Sequence, residues 1–135
     1  MNAETAPLVV VDAANTVGSV PDGWWRDRHG ATERLRDGLA ALAGTGLPER
    51  ADVPEWARLP PLDIVLVVEG AARKVAAVPG VRVEAAPGSG DDLIAALAAD
   101  RPPERHCLVV TADRELRRRV TAHGAVVAGP RSVRA

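Results

Sequence analysis

Apolar residues in this chain come in short runs, each closed by a polar or acidic stop. The runs are Val9-Val10-Val11-Asp12, Leu66-Val67-Val68-Glu69, Val81-Arg82-Val83 leading to Asp91-Asp92, and Leu108-Val109-Val110-Thr111-Ala112-Asp113. Brief β-branched runs have the length of strands buried on both faces. The pattern predicts strands over 8–11, 62–68, 81–85, 107–110 and 125–127. Between the first two, Leu35, Leu39 and Leu42 have helical spacing; that helix is expected to begin near Thr32 as N-cap and to stop at Gly44-Thr45-Gly46. A short helix over 71–78 should end at Pro79-Gly80. A third, capped by Ser89 or Asp91, should run through Ala99 with Leu93, Ile94 and Leu97 on one face, and a fourth covers 114–122 before Gly124. Asn15, Gly18, Pro21, Gly23 and Gly30 make 13–30 a loop, Pro48, Pro54, Pro60 and Pro61 make 47–61 irregular, and the tail after Gly129-Pro130 is expected to be loose. The sum is βαβαβαβαβ: an α/β fold, a three-layer α/β/α sandwich with a mostly parallel five-stranded sheet, in a single domain over 1–135.

That topology changes the meaning of the acidic stops. Right-handed crossovers put the carboxyl ends of parallel strands on one edge of the sheet, where ligands bind. Asp12, Glu69, Asp91, Asp92 and Asp113 would converge there. Crowded carboxylates repel one another unless a divalent cation neutralises them, so the pattern points to a Mg²⁺ or Mn²⁺ site and to metal-assisted phosphodiester hydrolysis. The fourth strand should lie beside the first across the switch point, which makes Asp12 and Asp113 the acids expected to share a cation, with the neutral amide of Asn15 nearby. Neighbours in a first helical turn point about 100° apart. Asp91 is therefore expected at the site, and Asp92 as a water-mediated partner.

Each of these residues also has a plainer role. Asp12 and Asn15 suit an Asx-type turn, Asp91-Asp92 suit a helix N-terminus, and Glu69 suits a solvated strand end. Thr111 can donate to a metal-bound water or a carboxylate, or cap its turn, and Ser89 has the same alternatives. Arg73, Arg114, Arg117, Arg118 and Arg119 can flank the acids and hold phosphate, or form a solvated helix face. Trp24 and Trp25 can stack on bases or anchor their loop, and Trp56 likewise anchors its own.

Composition narrows the classes. The chain is 47% hydrophobic but has no Phe or Tyr, so its core is built from Ala, Val and Leu. A net charge of −1 excludes a generic polyanion binder and leaves phosphate contacts to local arginines; Lys74 is the one lysine. The lone Cys107 sits in an apolar run as a small hydrophobe, and with no leader or membrane span legible in the sequence, a cytoplasmic protein is expected. His29, His106 and His123 lack zinc spacing, and no phosphate-binding glycine loop is present.

The motifs together resemble a known family. Val10-Val11-Asp12-Ala13-Ala14-Asn15-Thr16-Val17-Gly18 is similar to the opening D-G-Y-N-x-x-G stretch of the YacP-like branch of NYN domains, within the PIN-like nuclease superfamily. Ser89-Gly90-Asp91-Asp92-Leu93-Ile94 resembles that branch's S/T-A-D-x-x-I segment, and Val109-Val110-Thr111-Ala112-Asp113 with His123-Gly124-Ala125 resembles its V-V-T-S-D and terminal G-A. The resemblance implies a metal-dependent endoribonuclease in which the positions of Asp12, Asp91 and Asp113 hold Mg²⁺ or Mn²⁺ and Asn15 assists, with RNA as partner and no membrane. Two departures stand out: Ala13-Ala14 replaces the Gly-Tyr pair, and Glu69 replaces an acid often written Asp. A hydrolase of nucleotides or short oligonucleotides and a non-catalytic RNA-binding module are the alternatives, and the oligomeric state, a homodimer included, stays open.

Overall fold

The computed structural model describes residues 5–134; residues 1–4 and 135, the ends of the predicted 1–135 domain, lie outside the described residues. Five strands, β1 (Leu8–Asp12), β2 (Asp63–Val68), β3 (Val81–Ala85), β4 (Cys107–Val110) and β5 (Val126–Ala128), form one parallel sheet in the order β3-β2-β1-β4-β5. β1 pairs on one side with β2 (Val10 opposite Val65) and on the other with β4 (Val10 opposite Val109). The order therefore reverses between β1 and β4, which is the predicted switch point.

Side chains alternate between two cores, as strands covered on both faces require. Val9, Val11, Ile64, Leu66 and Leu108 pack under helices α1 (Ala13–Val17) and α2 (Arg28–Thr45). Val10, Val65, Val67 and Val109 pack on the other face, against α3 (Gly90–Asp100) and α4 (Arg114–Thr121) through Ile94, Ala98, Leu116 and Val120. The α/β/α sandwich is thus as predicted. Leu39 is fully buried at the centre of the α2 interface. Leu39→Ala is expected to destabilise the fold by about 2–5 kcal/mol in urea unfolding, because the cavity adds to the lost transfer energy.

Three expectations fail, each for a local reason. The predicted 13–30 loop contains α1 and a 3₁₀ turn, Trp24–Arg26, and α2 starts at Arg28 rather than near Thr32. Asp12 and Asp27 are the N-caps, accepting from the backbone N–H of Asn15 and Gly30. Thr32 lies inside the helix, donating back to the Arg28 carbonyl at 2.8 Å. A good cap three residues upstream outweighed Gly30 as a breaker.

The helix predicted over 71–78 shrinks to a single 3₁₀ turn, Gly70–Ala72. Val78 bonds back across a turn to Val81, and Arg36 takes the Ala76 carbonyl at 3.0 Å, so backbone groups that a helix needs are used elsewhere. So short a segment has little to set against the cost of nucleation.

The tail is packed rather than loose. Pro130–Ser132 forms a 3₁₀ turn, and Pro130, Ser132 and Val133 are buried. Its entry is held by Asp52, which accepts from the Gly129 N–H at 2.9 Å. The bond from Arg50 holds the Asp52 carboxyl below the ordinary aspartate range.

Candidate acidic site at the switch point

Each acid reaches the carboxyl edge of the sheet as the first residue after a strand or at the start of a helix. Asp12 ends β1 and caps α1, so its side chain is fixed from two directions: the Asn15 N–H donates to Oδ1 at 3.3 Å and the Thr111 hydroxyl to Oδ2 at 2.9 Å. Asp113 ends the β4 segment and caps α4, accepting from the Leu116 N–H at 2.9 Å. Its own N–H donates to Thr111 Oγ1 at 3.2 Å. Thr111, fully buried, therefore links the two acids expected to share a cation. Thr111 takes two of the roles open to it, donating to a carboxylate and capping its own turn, and its side chain is fully buried.

Asn15 closes the same edge. Its Oδ1 accepts from the Ala112 N–H at 2.8 Å, tying α1 to the turn between Thr111 and Asp113. Glu69, after β2, accepts a hydrogen bond from the Gly90 N–H at the start of α3. That bond brings the strand-two acid to the helix that carries Asp91. Asp92 goes elsewhere: its side chain is 85% exposed and pairs with Arg119 on α4 at 3.0 Å.

The electrostatics mark Asp12 and Asp91 as strained acids. Burial pushes the Asp12 carboxyl above the ordinary aspartate value; the bonds from Thr111 and Asn15 pull it back, and the charges of Asp91 and Glu69 push it up again. Asp91 is raised by burial first, then by Asp113 and Glu69, with Arg119 opposing. Asp91 thus feels acids on both sides of the switch point.

The opposite edge of the sheet offers an internal comparison. There Asp63 is also largely buried, but Arg82 (3.0 and 2.9 Å) and Arg105 (2.8 Å) bond to it. Burial pushes Asp63 up, and the bonds from Arg82 and Arg105 outweigh it and hold the carboxyl below the ordinary range. Arginine neutralises the acid at the amino edge. At the carboxyl edge no arginine bonds to Asp12 or Asp91 among the described residues; Arg119 acts on Asp91 only through its charge and pairs with Asp92.

Hard carboxylate oxygens are the donor chemistry of Mg²⁺ and Mn²⁺. Among the described residues, however, no three His, Cys, Asp or Glu side chains are grouped so as to hold an ion. Mg²⁺ commonly uses one or two carboxylates and keeps its waters, so the donors fit a hydrated ion better than an all-protein cage.

Two concavities flank the acids. One, of about 500 Å³, is lined by Ala13 and Ala14 of α1, Trp24, Arg28, and Glu69 and Ser89. The other, of about 660 Å³, lies by Ala112 and Gly129 and is lined by Arg50, Arg131 and Arg134. Arg50 pairs with Asp52 and Arg134 with Asp22, which leaves Arg131 exposed with no carboxylate partner among the described residues.

Of the predicted phosphate contacts, Arg114 stands exposed at the first position of α4, next to Asp113, and Arg73 lies with Lys74 beside a separate hollow at the β3 side. Arg117 is structural, donating to the Thr111 carbonyl at 2.7 Å. Arg28 and Arg131 were not anticipated. Their signal in the sequence was slight: Arg28 sits in a mixed Arg-Asp-Arg stretch and Arg131 in a tail read as loose. Cys107 is buried in β4, and burial pushes its thiol up to about 11.

Fold and site together define a doubly wound parallel α/β protein with an acidic switch point. It is similar in fold to Rae1 (YacP) from Bacillus subtilis, with a TM-score of 0.65 at 19% identity over 98% of this chain and 71% of that one. A point mutant of the same protein aligns at a TM-score of 0.68, 18% identity, 94% of this chain and 72% of that one. No family model and no curated protein matches the sequence. Among the described residues no helix is long and apolar enough to cross a membrane.

Proposed function

We propose that this protein is a metal-dependent ribonuclease that hydrolyses RNA phosphodiester bonds at the β1–β4 switch point. The observation that carries the reading is the contrast between the two sheet edges: Asp63 is bonded by two arginines, whereas no arginine bonds to Asp12 or Asp91 among the described residues, and burial and neighbouring acids push both up. A stable protein has no use for that repulsion, but an ion site does. The fold shared with Rae1 (YacP) and the three YacP-like motifs support the same reading.

In this reading one or two of Asp12, Asp91, Asp113 and Glu69 would hold a hydrated Mg²⁺ or Mn²⁺ directly and the others would act through its waters; when bound, the ion would lower the pKa of water and stabilise the leaving oxygen of a phosphodiester. Thr111 orients the Asp12 carboxylate, and Asn15 fixes the α1 end of the site against Ala112. Arg114 and Arg131 offer charge to the RNA backbone on the flank of β4 and β5. No protein nucleophile is required.

The test is a calorimetric titration of Mn²⁺ into wild type and Asp91→Asn, paired with incubation of each with a mixed single-stranded RNA pool. Metal binding and cleavage should both be present in wild type and lost together in the variant. One observation favours a second reading, a non-catalytic RNA-binding module: no three ligands are gathered among the described residues. Wild-type protein that binds RNA but no Mn²⁺ at millimolar concentration would establish that second reading in place of the first.

A further inference from the structure

The cavity beside Glu69 is not needed to hold an ion, and its lining is unlike the acid edge it adjoins. Its floor is apolar, made by the buried Ala13, Val17 and Ala72. Its wall is Trp24, half-buried, which packs edge-on against Trp25 with ring centroids 6.0 Å apart. Over the Trp24 ring, 5.2 Å from its centroid, stands the Arg28 guanidinium, exposed and with no carboxylate partner among the described residues. An indole and an unneutralised cation above an apolar floor suit a flat aromatic ligand that carries negative charge.

From this we infer that the cavity is a pocket for one unpaired nucleobase of the RNA strand whose phosphate lies at the acids; the inference rests on the ribonuclease reading. Position is the first argument: the cavity shares Glu69 with the acid cluster, and Ala13 follows Asp12 directly, so a base lodged there has its own phosphate at the carboxyl edge. Size is the second, since about 500 Å³ lies within the range of small-ligand sites and is far too small for a paired helix. Chemistry is the third, because stacking on an indole accepts any base, while the Arg28 charge serves the adjoining phosphate. A base within a duplex would have to leave its stack to enter, so the pocket selects single-stranded RNA.

The test is fluorescence anisotropy of an end-labelled single-stranded RNA of about eight nucleotides, in EDTA so that nothing is cleaved. Trp24→Leu is expected to weaken binding about 5- to 150-fold, the equivalent of one stacked base. Trp56→Leu, at an indole that stacks on His106 and lies outside the cavity lining, should leave affinity unchanged. Ala14→Leu keeps the indole but fills the cavity from α1, and should weaken binding even if Trp24→Leu proves poorly folded. Equal affinity in wild type and Ala14→Leu, an equal loss in both tryptophan variants, or a duplex that binds as tightly as the single strand would overturn the pocket. The two readings fail separately. Trp24-dependent binding without cleavage in Mn²⁺ would uphold the pocket and sink the nuclease; cleavage with the same KM in wild type and Trp24→Leu would do the reverse.

Discussion

Asp12→Asn is expected to lower RNA cleavage by more than about a hundredfold, beyond the 10- to 100-fold typical of residues that only support a metal ligand, and to raise the stability of the metal-free protein near neutral pH. The second half follows from the sign of the shift. Burial and neighbouring acids raise the Asp12 carboxyl in the folded state, so folding penalises its ionised form. A group raised in this way costs stability once pH exceeds its unfolded value, and the cost grows until pH passes the folded value. Asn carries no such cost. The gain from Asp12→Asn should therefore be full near neutral pH, shrink as pH falls, and vanish below about pH 4, where aspartate is protonated in both states. Thermal melts in EDTA across that range check it. If the variant is instead less stable at neutral pH, Asp12 is chiefly an N-cap, and the repulsion argument for a cation fails with it.

That expectation rests on a residue whose place is legible in the sequence, and the reason is physical. Val9-Val10-Val11 is buried on both faces, so its brevity and branching identify a central strand, and the first polar residue after such a strand must emerge at the sheet edge. The same logic found Glu69; Asp113 lies two residues beyond Thr111, the first polar residue after β4, and the switch point of a doubly wound sheet put β4 beside β1. Asp91 and Asp92 were separable only in part: helical geometry argued that they diverge, but the pairing of Asp92 with Arg119 depends on α4 lying against α3. Elements without a two-faced apolar signature were missed. Helix α1 depends on Asp12 acting as its cap, and the packed tail depends on Asp52 reaching Gly129, a contact between residues 77 positions apart.

The Trp24 cavity was out of reach for a related reason. Its lining comes from residues 13–17, 24–32, 69–72 and 88–89, and no local pattern announces that these meet. Ala13-Ala14, where the resembling motif has Gly-Tyr, carries no aromatic. In the fold, Ala14 and Trp24 line one cavity, whose aromatic face comes from outside α1. Sequence order alone cannot show that meeting, because it takes place across the space between α1 and the turn before α2.

Thr111→Val should be the more telling variant of the site, because it removes no charge and changes a fully buried side chain. Thr111 is fully buried, and its hydroxyl serves two partners, donating to Asp12 and accepting from the Asp113 N–H. Valine keeps the shape and deletes both bonds. The expected loss of activity is about 10- to 100-fold, the usual cost of removing a group that orients a metal ligand, with recovery in Thr111→Ser. Stability should also fall by about 1–3 kcal/mol, since a partly buried N–H and a buried carboxylate each lose a partner. The direction is opposite to that of Asp12→Asn, although both variants touch the same bond. Because the Thr111 bond lowers the Asp12 carboxyl, its removal should make Asp12 in metal-free protein titrate at higher pH than in wild type, which carboxyl NMR reads directly. In Asp12→Asn there is no charge for Thr111 to orient, so adding Thr111→Val should cost far less activity there than it does in wild type. Additive losses in the double variant would mean that Thr111 acts through the backbone at Asp113 alone, and that the Asp12 carboxylate is held in place by its cap without help from β4.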